Sequence, residues 1–232
     1  MTAALAPRVL AGRFCARMAS MIMDIFSDPI CPWCYIGKRR LQRTLDELPL
    51  QDRPQVRWRA FMLNPDMPND GMERNAYLAR KFGSSQRAME LYGTIAQAGF
   101  EEGILFAFGD IARTPSTMNA HRLIRLAGEG VHQTEVVDEM FFRYFTQGVD
   151  IGDTQALVAI AADCGMDAGA VRAYLDGDED SDAVLAEHNL AQRIGINGVP
   201  CFILDGRYAV SGAQSPEVLR RMIDTARTTA AA

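Results

Sequence analysis

The feature that most constrains this chain is a pair of cysteines placed where a strand gives way to a helix. The pair lies in the motif Cys31-Pro32-Trp33-Cys34. A short apolar, β-rich segment, 21–27, precedes it and ends at the turn-forming Asp28-Pro29. Leucines then recur at helical spacing up to Pro49: Leu41, Leu45 and Leu48. This order predicts a buried strand, a loop and an amphipathic helix that begins inside the cysteine motif.

Two thiols at the start of a helix favour redox chemistry. At that position, unpaired N–H groups and the positive end of the helix dipole stabilise a thiolate, so we expect the pKa of Cys31 to fall below the ordinary value of about 8.5. Cys34 follows one helical turn later and is close enough to attack a mixed disulfide formed at Cys31.

Other uses of the cysteine pair fit the sequence less well. Half of a zinc site needs two more ligands, and the chain offers only the isolated histidines His121, His132 and His188. A structural disulfide across so short a loop would restrict the unfolded chain very little. We therefore expect a catalytic pair and no bound metal.

The rest of the chain is divided into two β-containing ends and a long helical middle. Alternating residues over 55–61 predict a second strand, which completes a βαβ unit. From about Asn64 to Ile194 the pattern is helical and no strand is expected. The strongest amphipathic windows are 117–126, 135–145 and 154–162, and Ser181 is the expected N-cap of a helix that runs to Ile194.

After Gly198-Val199-Pro200 the pattern returns to strand. Two β-rich runs, 201–204 and 207–210, flank Asp205-Gly206, which is a strong hairpin signal. Ser215-Pro216-Glu217 then opens a last helix. We expect an α/β fold from residues 21–63 and 196–229, with residues 64–195 as an all-helical insertion between the βαβ and ββα halves.

Charge and hydropathy exclude some partners. The net charge of -5 gives no basic surface for nucleic acid or anionic lipid. No apolar run reaches the roughly 18–20 residues that span a bilayer. We therefore expect neither nucleic-acid nor membrane partners, and a protein that is a monomer or a homodimer.

The N-terminus and the cysteine count bear on location. Residues 1–20 are rich in alanine and arginine, which is weakly suggestive of a targeting segment, but Arg13 and Arg17 interrupt the apolar core that one needs. A disordered extension, or a start codon assigned too early, is the preferred interpretation. Five scattered cysteines do not form the framework of a secreted, disulfide-stapled domain. We expect a cytoplasmic protein.

Several segments together resemble the DsbA-like branch of the thioredoxin superfamily, and more closely its FrnE-type group. The segments are 27–39 around the cysteine motif, Asn119-Ala120-His121-Arg122-Leu123, Gly198-Val199-Pro200 and 208–214. The resemblance implies a thioredoxin fold, with Cys31 as the nucleophile and Cys34 as the resolving thiol. It also implies that Pro200 is a cis-proline facing the thiols and that Val199 binds an extended substrate. Pro32 and Trp33 would contribute to the same substrate-binding surface.

The chain departs from the family pattern at one position. Many relatives carry a buried carboxylate six residues before the nucleophile, where this chain has Ile25. Asp28 is the nearest alternative proton acceptor, although a turn-forming role before Pro29 is the preferred interpretation. Cys201 and Cys164 are expected to be core residues.

The related kappa-class glutathione transferases and 2-hydroxychromene-2-carboxylate isomerases suggest other functions. Their glutathione site has a comparable region, which makes Asn119 and His121 candidate ligand contacts, although a lone histidine at a helix edge is usually structural. The main hypothesis is a thiol-disulfide oxidoreductase acting on protein or small-molecule thiols, without a cofactor, or with glutathione as co-substrate. A glutathione-dependent isomerase or transferase and a redox-linked chaperone are the alternatives.

Overall fold

The computed structural model describes residues 21–128 and 131–230. The N-terminal half of the fold is a βαβ unit, as predicted: strand β1 (Ile22–Ser27), helix α1 (Pro32–Asp46), a short 3-10 helix (Leu50–Asp52) and strand β2 (Gln55–Ala60). Helix α1 begins at the proline of the cysteine motif, since proline fits the first helical position.

Two strands near the C-terminus complete a four-stranded sheet. They are β5 (Cys201–Leu204) and β6 (Tyr208–Ser211), and the sheet order is β2-β1-β5-β6. Strand β1 is parallel to β2 and antiparallel to β5, with Phe26 opposite Cys201. The predicted hairpin turn is present, and Asp205 and Gly206 both have positive φ, at 52° and 63°. Helix α9 (Pro216–Ala230) follows and packs on α1 and β5.

The segment between β2 and β5 is mainly helical. Its helices are α2 (Arg74–Phe82), α3 (Ser85–Glu101), α4 (Met118–Leu126), α5 (Val131–Gln147), α6 (Thr154–Asp163), α7 (Ala168–Asp176) and α8 (Ser181–Arg193), with a 3-10 turn at Phe108–Asp110. Helices α5 and α8 both contact β2, so the segment lies directly against the sheet.

The expectation that this segment would contain no strand is wrong. Strands β3 (Met72–Glu73) and β4 (Arg113–Thr114) pair antiparallel as a separate two-stranded sheet. A strand of two residues is too short to produce an alternating pattern, so the sequence carried no sign of it. The cap expected at Ser181 is also wrong, because Ser181 is the first helical residue of α8 and Asp180, with φ 63°, is the N-cap.

The core lies on both faces of the four-stranded sheet. Ile25 and Phe202 belong to the larger cluster on the α1 side, whereas Phe26 and Cys201 pack with Ala191 of α8. Cys201 is thus a core residue, as expected, but Cys164 is only partly buried. The predictions for residues 1–20 lie outside the described residues. No helix within the described ranges is both long and apolar enough to cross a membrane.

Candidate active site

The two cysteines of the motif lie side by side at the N-terminal end of α1. Cys31 is the N-cap, with extended backbone dihedrals, and its carbonyl accepts hydrogen bonds from the N–H groups of Cys34 and Tyr35. Cys34 is one turn into the helix. Pro32 is buried and Trp33 half-buried. Both cysteines are free thiols.

The environments of the two thiols differ. Cys34 is 1% exposed, and burial raises its pKa well above the ordinary range of a thiol. The neighbouring Cys31 thiol raises the pKa of Cys34 further, whereas the Ser27 hydroxyl and the backbone N–H of Asp28 act in the opposite direction. The Cys31 thiol donates a hydrogen bond to the Val199 carbonyl at 3.6 Å. Cys31 therefore faces the 198–200 loop, and Cys34 faces the protein interior.

The loop that contains Val199 and Pro200 lies against the thiols because it leads directly into β5, the neighbour of β1. The Val199–Pro200 peptide bond is cis. Pro200 is buried and its ring packs on Gly37 of α1, while Val199 is half-buried. The structure thus brings the two cysteines, Cys31 and Cys34, next to the Val199-Pro200 pair, which lies far from them in the sequence.

Asp28 is a buried carboxylate directly behind the cysteine motif. Its Oδ1 accepts a hydrogen bond from the Ile30 N–H at 3.3 Å, which is the expected turn, and its Oδ2 accepts one from the Leu63 N–H at 2.7 Å. Burial raises the pKa of Asp28 to about 6, although these N–H donors and the Thr117 hydroxyl act to lower it. The turn-forming interpretation is therefore correct but incomplete, since the residue is also a buried titratable group.

The candidate ligand contacts on α4 have separate surroundings. His121 is 2% exposed, and burial lowers its pKa to about 3, so the ring is neutral at pH 7. Its Nε2 lies 3.9 Å from Oδ1 of Asp28 and has no hydrogen-bond partner among the described residues. The side chain of Asn119 instead accepts a hydrogen bond from the buried Arg122 at 2.8 Å. His121 therefore borders the thiol site from inside, and Asn119 supports Arg122.

The remaining histidines are separate from the cysteines. Nδ1 of His188 accepts a hydrogen bond from the Met62 N–H, and His132 is exposed beside Glu135. Within the described parts of the chain, no group of three or more His, Cys, Asp or Glu side chains is arranged to hold a metal ion.

An open pocket of about 310 Å³ adjoins the site on the side of the loop after β2. Its lining includes Leu63, whose N–H is bound to Asp28, and five polar side chains: Asn64, Asp66, Tyr77, Arg80 and Lys81. Lys81 donates a hydrogen bond to Asn64 at 3.1 Å and contributes a positive potential at Asp28. The pocket thus combines two cations with the carboxylate of Asp66, and Leu63 connects it to Asp28.

A dithiol at the N-terminus of the first helix, with a cis-proline loop beside it and a four-stranded mixed sheet behind it, defines a thioredoxin-like oxidoreductase fold. The chain belongs to the DsbA family of such proteins, since residues 22–224 match the family model described as a DSBA-like thioredoxin domain.

Solved structures agree with this assignment. A probable DsbA oxidoreductase, SCO1869 from Streptomyces coelicolor, is 32% identical, with 90% of each chain covered and a TM-score of 0.81. A 2-hydroxychromene-2-carboxylate isomerase is 16% identical over 90% of this chain and 98% of its own, with a TM-score of 0.68. The cytosolic disulfide reductase DsbM from Pseudomonas aeruginosa, solved with glutathione, is 20% identical over 89% and 99%, with a TM-score of 0.58. The last two likenesses establish the fold alone, and membership of the FrnE-type group stays a prediction.

Sequence reasoning did not identify the convergence of Asp28, His121 and Ser27 behind the thiols. The sequence predicts separate roles for Asp28, in a turn or as a proton acceptor, and for His121, as a ligand contact. Their contact depends on how α4 packs against the end of β1, and no local pattern encodes that packing. The only available signal was that both residues fall within segments that resemble the family.

Proposed function

We propose that the protein is a thiol-disulfide oxidoreductase that works through a mixed disulfide at Cys31. The observation that carries the proposal is the placement of two free thiols at the start of α1, with Cys31 beside the Val199 carbonyl. A thiolate at a helix N-terminus is stabilised by the dipole and by free N–H groups. Cys31, as the N-cap, has that position, and Cys34 lies deeper.

The reaction then has two exchange steps. In the first, the Cys31 thiolate attacks one sulfur of a substrate disulfide and releases the other sulfur as a thiolate. In the second, Cys34 loses its proton and attacks the Cys31 sulfur, which releases the second substrate thiolate and leaves the Cys31–Cys34 disulfide. Two electrons pass from the protein to the substrate, and the reverse sequence oxidises a substrate dithiol. The backbone of Val199, with Pro32 and Trp33, supplies the surface along which an extended substrate would lie.

The reduction potential of the pair tests this proposal. The protein is equilibrated in glutathione buffers, and the thiols are trapped and counted by mass. A reversible two-electron couple is expected, at about -120 to -180 mV for a disulfide donor or isomerase and at about -270 mV for a reductase. The Cys34→Ser variant is expected to accumulate a mixed disulfide at Cys31, and Cys31→Ser to form none. Cys164→Ser is the matched control and should behave as the wild type. A wild-type protein without a reversible couple would contradict the proposal.

Glutathione is a second element of the proposed function, as co-substrate. The pocket beside Asp28 supports it, because Arg80 and Lys81 line it together with Leu63, the residue whose N–H binds Asp28, and glutathione carries two carboxylates. Lys81→Met is expected to raise the KM for glutathione about fivefold to tenfold, which corresponds to the net free energy of one typical hydrogen bond, while the rate with a neutral thiol stays unchanged. Arg87→Met, at an exposed position on α3, is the control. Equal effects of both variants would rule this pocket out.

The alternative activities are separated by the same variants. A glutathione-dependent isomerase activates the thiol of the bound tripeptide and needs no protein dithiol, so Cys34→Ser would retain its activity. A chaperone would retain binding of unfolded chains in Cys31→Ser. The dithiol at α1 favours exchange over both alternatives. We place the reaction in the cytoplasm, which the scattered set of cysteines supports, and the distribution of the tagged full-length chain between cell fractions tests that location.

A further inference from the structure

Arg74 is a buried cation that has no counter-charge in the part of the chain that the structure describes. The residue begins helix α2, and its side chain is 6% exposed. Nη1 donates a hydrogen bond to Oγ1 of Thr114 at 2.9 Å, and Nη2 donates one to the Tyr92 hydroxyl at 2.7 Å. Both partners are neutral, and no described Asp or Glu side chain forms an ion pair with the guanidinium. Burying a charge is costly unless an opposite charge or a full set of hydrogen bonds compensates it.

The other two lysine or arginine side chains that are buried in the described ranges are compensated. Lys38 pairs with Asp138. Arg122 donates hydrogen bonds to the side chain of Asn119 and to the backbone carbonyls of Tyr174, Leu175 and Glu179. A guanidinium has five N–H donors, and the described partners of Arg74 accept only two of them. Arg74 therefore keeps both charge and donors for a ligand.

Arg74 lines an open cavity between α2, α3 and the 3-10 turn at Phe108–Asp110. The volume of the cavity is about 270 Å³, which is at the lower end of the range for small-molecule pockets. Asn75 and Tyr92 are its other polar lining residues. The rest of the wall is formed by Leu78, Ala88, Met89, Phe108 and Gly109. No cysteine is among the described residues that line it, so this cavity is separate from the thiol site.

Two aromatic rings and a hydroxyl fix the guanidinium beside this cavity. Cζ of Arg74 lies 5.1 Å from the ring centroid of Tyr92 and 5.8 Å from that of Tyr77. Burial raises the pKa of Tyr92, so its hydroxyl keeps its proton at neutral pH. The hydroxyl accepts a hydrogen bond from Arg74, and no described residue accepts one from it. An arginine and a tyrosine O–H that are held together suit a carboxylate, whose oxygens only accept hydrogen bonds.

The start of α2 favours a ligand with a single negative charge. The Glu73 carboxylate already accepts hydrogen bonds from the N–H groups of Asn75 and Ala76, at 3.0 and 2.8 Å. A phosphate group would therefore find no free N–H groups at this helix N-terminus. Arg74 is also the only cation among the residues that line the cavity. One carboxylate balances that charge, whereas a dianion would leave a negative charge uncompensated.

We propose that Arg74 and Tyr92 bind the carboxylate of a small, apolar monocarboxylate whose hydrocarbon part lies in this cavity. The carboxylate accepts hydrogen bonds from the remaining Arg74 donors and from the Tyr92 hydroxyl, and it neutralises the buried charge. The hydrocarbon part covers apolar side chains that are otherwise open to water, above all Met89, which is 68% exposed. This is a second ligand site, on the helical segment, apart from the thiols and from the proposed glutathione pocket.

Three probes test the site in the full-length, reduced protein with isotope-labelled methionine methyl groups. Phenylbutyrate has both the charge and the apolar part, phenylbutyramide lacks the charge, and butyrate lacks the ring. Phenylbutyrate is expected to shift the methyl NMR signal of Met89 saturably, and to leave unchanged that of Met72, which lines the proposed glutathione pocket. The amide and butyrate should each bind at least about tenfold more weakly, through loss of a charged hydrogen bond or of apolar contact. Equal affinities of phenylbutyrate and its amide, or the absence of a saturable shift at Met89, would overturn the proposal.

Variants assign the binding to the guanidinium. In isothermal titration calorimetry, Arg74→Met should bind phenylbutyrate at least about tenfold more weakly, with the affinity for the amide changed less than about twofold. Arg87→Met removes an exposed cation of α3 that does not line the cavity, and this matched control should bind as the wild type does. A loss of binding in Lys81→Met but not in Arg74→Met would place the ligand in the other pocket and overturn the proposal.

Opposite charges at Met89 replace this test if Arg74→Met does not fold. Met89 is exposed at the cavity, so both substitutions are compatible with the fold. Met89→Asp should weaken the binding of phenylbutyrate and Met89→Lys should strengthen it, each by about twofold to fivefold, as expected for an exposed charge pair. Neither variant should alter the binding of the amide. Equal affinities of the two variants for phenylbutyrate would contradict the proposed position of the carboxylate.

Discussion

The ring of Pro200 packs on the backbone of Gly37 so closely that a Cβ atom at Gly37 would lie 2.9 Å from Cγ of Pro200. The same Cβ would lie 3.2 Å from the ring of Phe202. The absence of a side chain at this point of α1 therefore allows the loop beside the thiols to come as near as it does.

We expect Gly37→Ala to destabilise the protein by about 1–3 kcal/mol, because an added methyl group in a packed site forces its neighbours apart. It should also slow the first exchange step, since Pro200 and Val199 move away from Cys31. Denaturant unfolding and the rate of the first thiolate release measure the two effects. Gly93→Ala on α3 is the control, because a Cβ there meets nothing within 4 Å. That variant should be more stable by up to about 1 kcal/mol. Equal stability of the two variants would show that the contact is unimportant.

Asp28 should make the stability of the fold depend on pH. Burial raises its pKa from 3.8 to about 6, so the native state favours the protonated form. Its contribution is fully present below pH 3.8 and is lost as the pH rises through about 6. Relative to Asp28→Asn, the wild type should lose about 3 kcal/mol between pH 3.5 and pH 7.5. Urea unfolding of both proteins at several pH values gives the difference between their free energies of unfolding. A difference that does not change with pH would mean that Asp28 does not titrate in this range.

His121 should have the opposite effect. Burial lowers its pKa from 6.5 to about 3, so the native state excludes the protonated ring. The stability that it contributes is present above pH 6.5 and is lost as the pH falls toward 3. Relative to His121→Gln, the wild type should lose about 2 kcal/mol between pH 7 and pH 5. Thermal unfolding over that range tests the sign, and a gain of stability on acidification relative to His121→Gln would contradict it.

The ion pair between Lys38 and Asp138 joins α1 to α5. Nζ of Lys38 lies 2.6 Å from Oδ1 of Asp138, and the side chains are 6% and 37% exposed. Lys38→Met should be close to neutral or stabilising, since it keeps the packing and removes the cost of burying a charge. Asp138→Ala leaves the Lys38 ammonium unpaired and should lower the free energy of unfolding by about 2 kcal/mol. This is less than the loss expected for a fully buried ion pair. The free energies of unfolding of the two single variants and of the double variant give the coupling energy between the two side chains. A larger loss of stability from Lys38→Met than from Asp138→Ala would contradict this prediction.

Local signals in the sequence predict much of this fold. The run before Asp28-Pro29, the leucines after Cys34 and the Asp205-Gly206 turn each specify an element, because strand alternation, helical spacing and turn chemistry act between near neighbours. The bounds of α1 and of the hairpin accordingly lie within a few residues of the prediction. The pairing of Met72–Glu73 with Arg113–Thr114 was missed because it depends on a contact across the fold.

The acid-base features of the site could not be predicted from the sequence and were found only in the structure. The environment of Asp28 depends on Leu63, which follows β2, and on Thr117 and His121, which are the N-cap and a buried residue of α4. Lys38 illustrates the same limit, because a lysine followed by Arg39 and Arg40 in an amphipathic helix suggests a solvated cation. The packing of α5 on α1 buries it instead.

The pairing of β5 with β1 has a consequence during protein synthesis. Cys31 and Cys34 leave the ribosome early, whereas Val199, Pro200 and β5 emerge only when most of the chain has been made. Since β5 pairs with β1 across this long sequence separation, the thiols of a nascent chain have no Val199 carbonyl beside them. The finished site therefore forms among the last long-range contacts, and a chain truncated before residue 199 carries the cysteine motif without its substrate-facing partner.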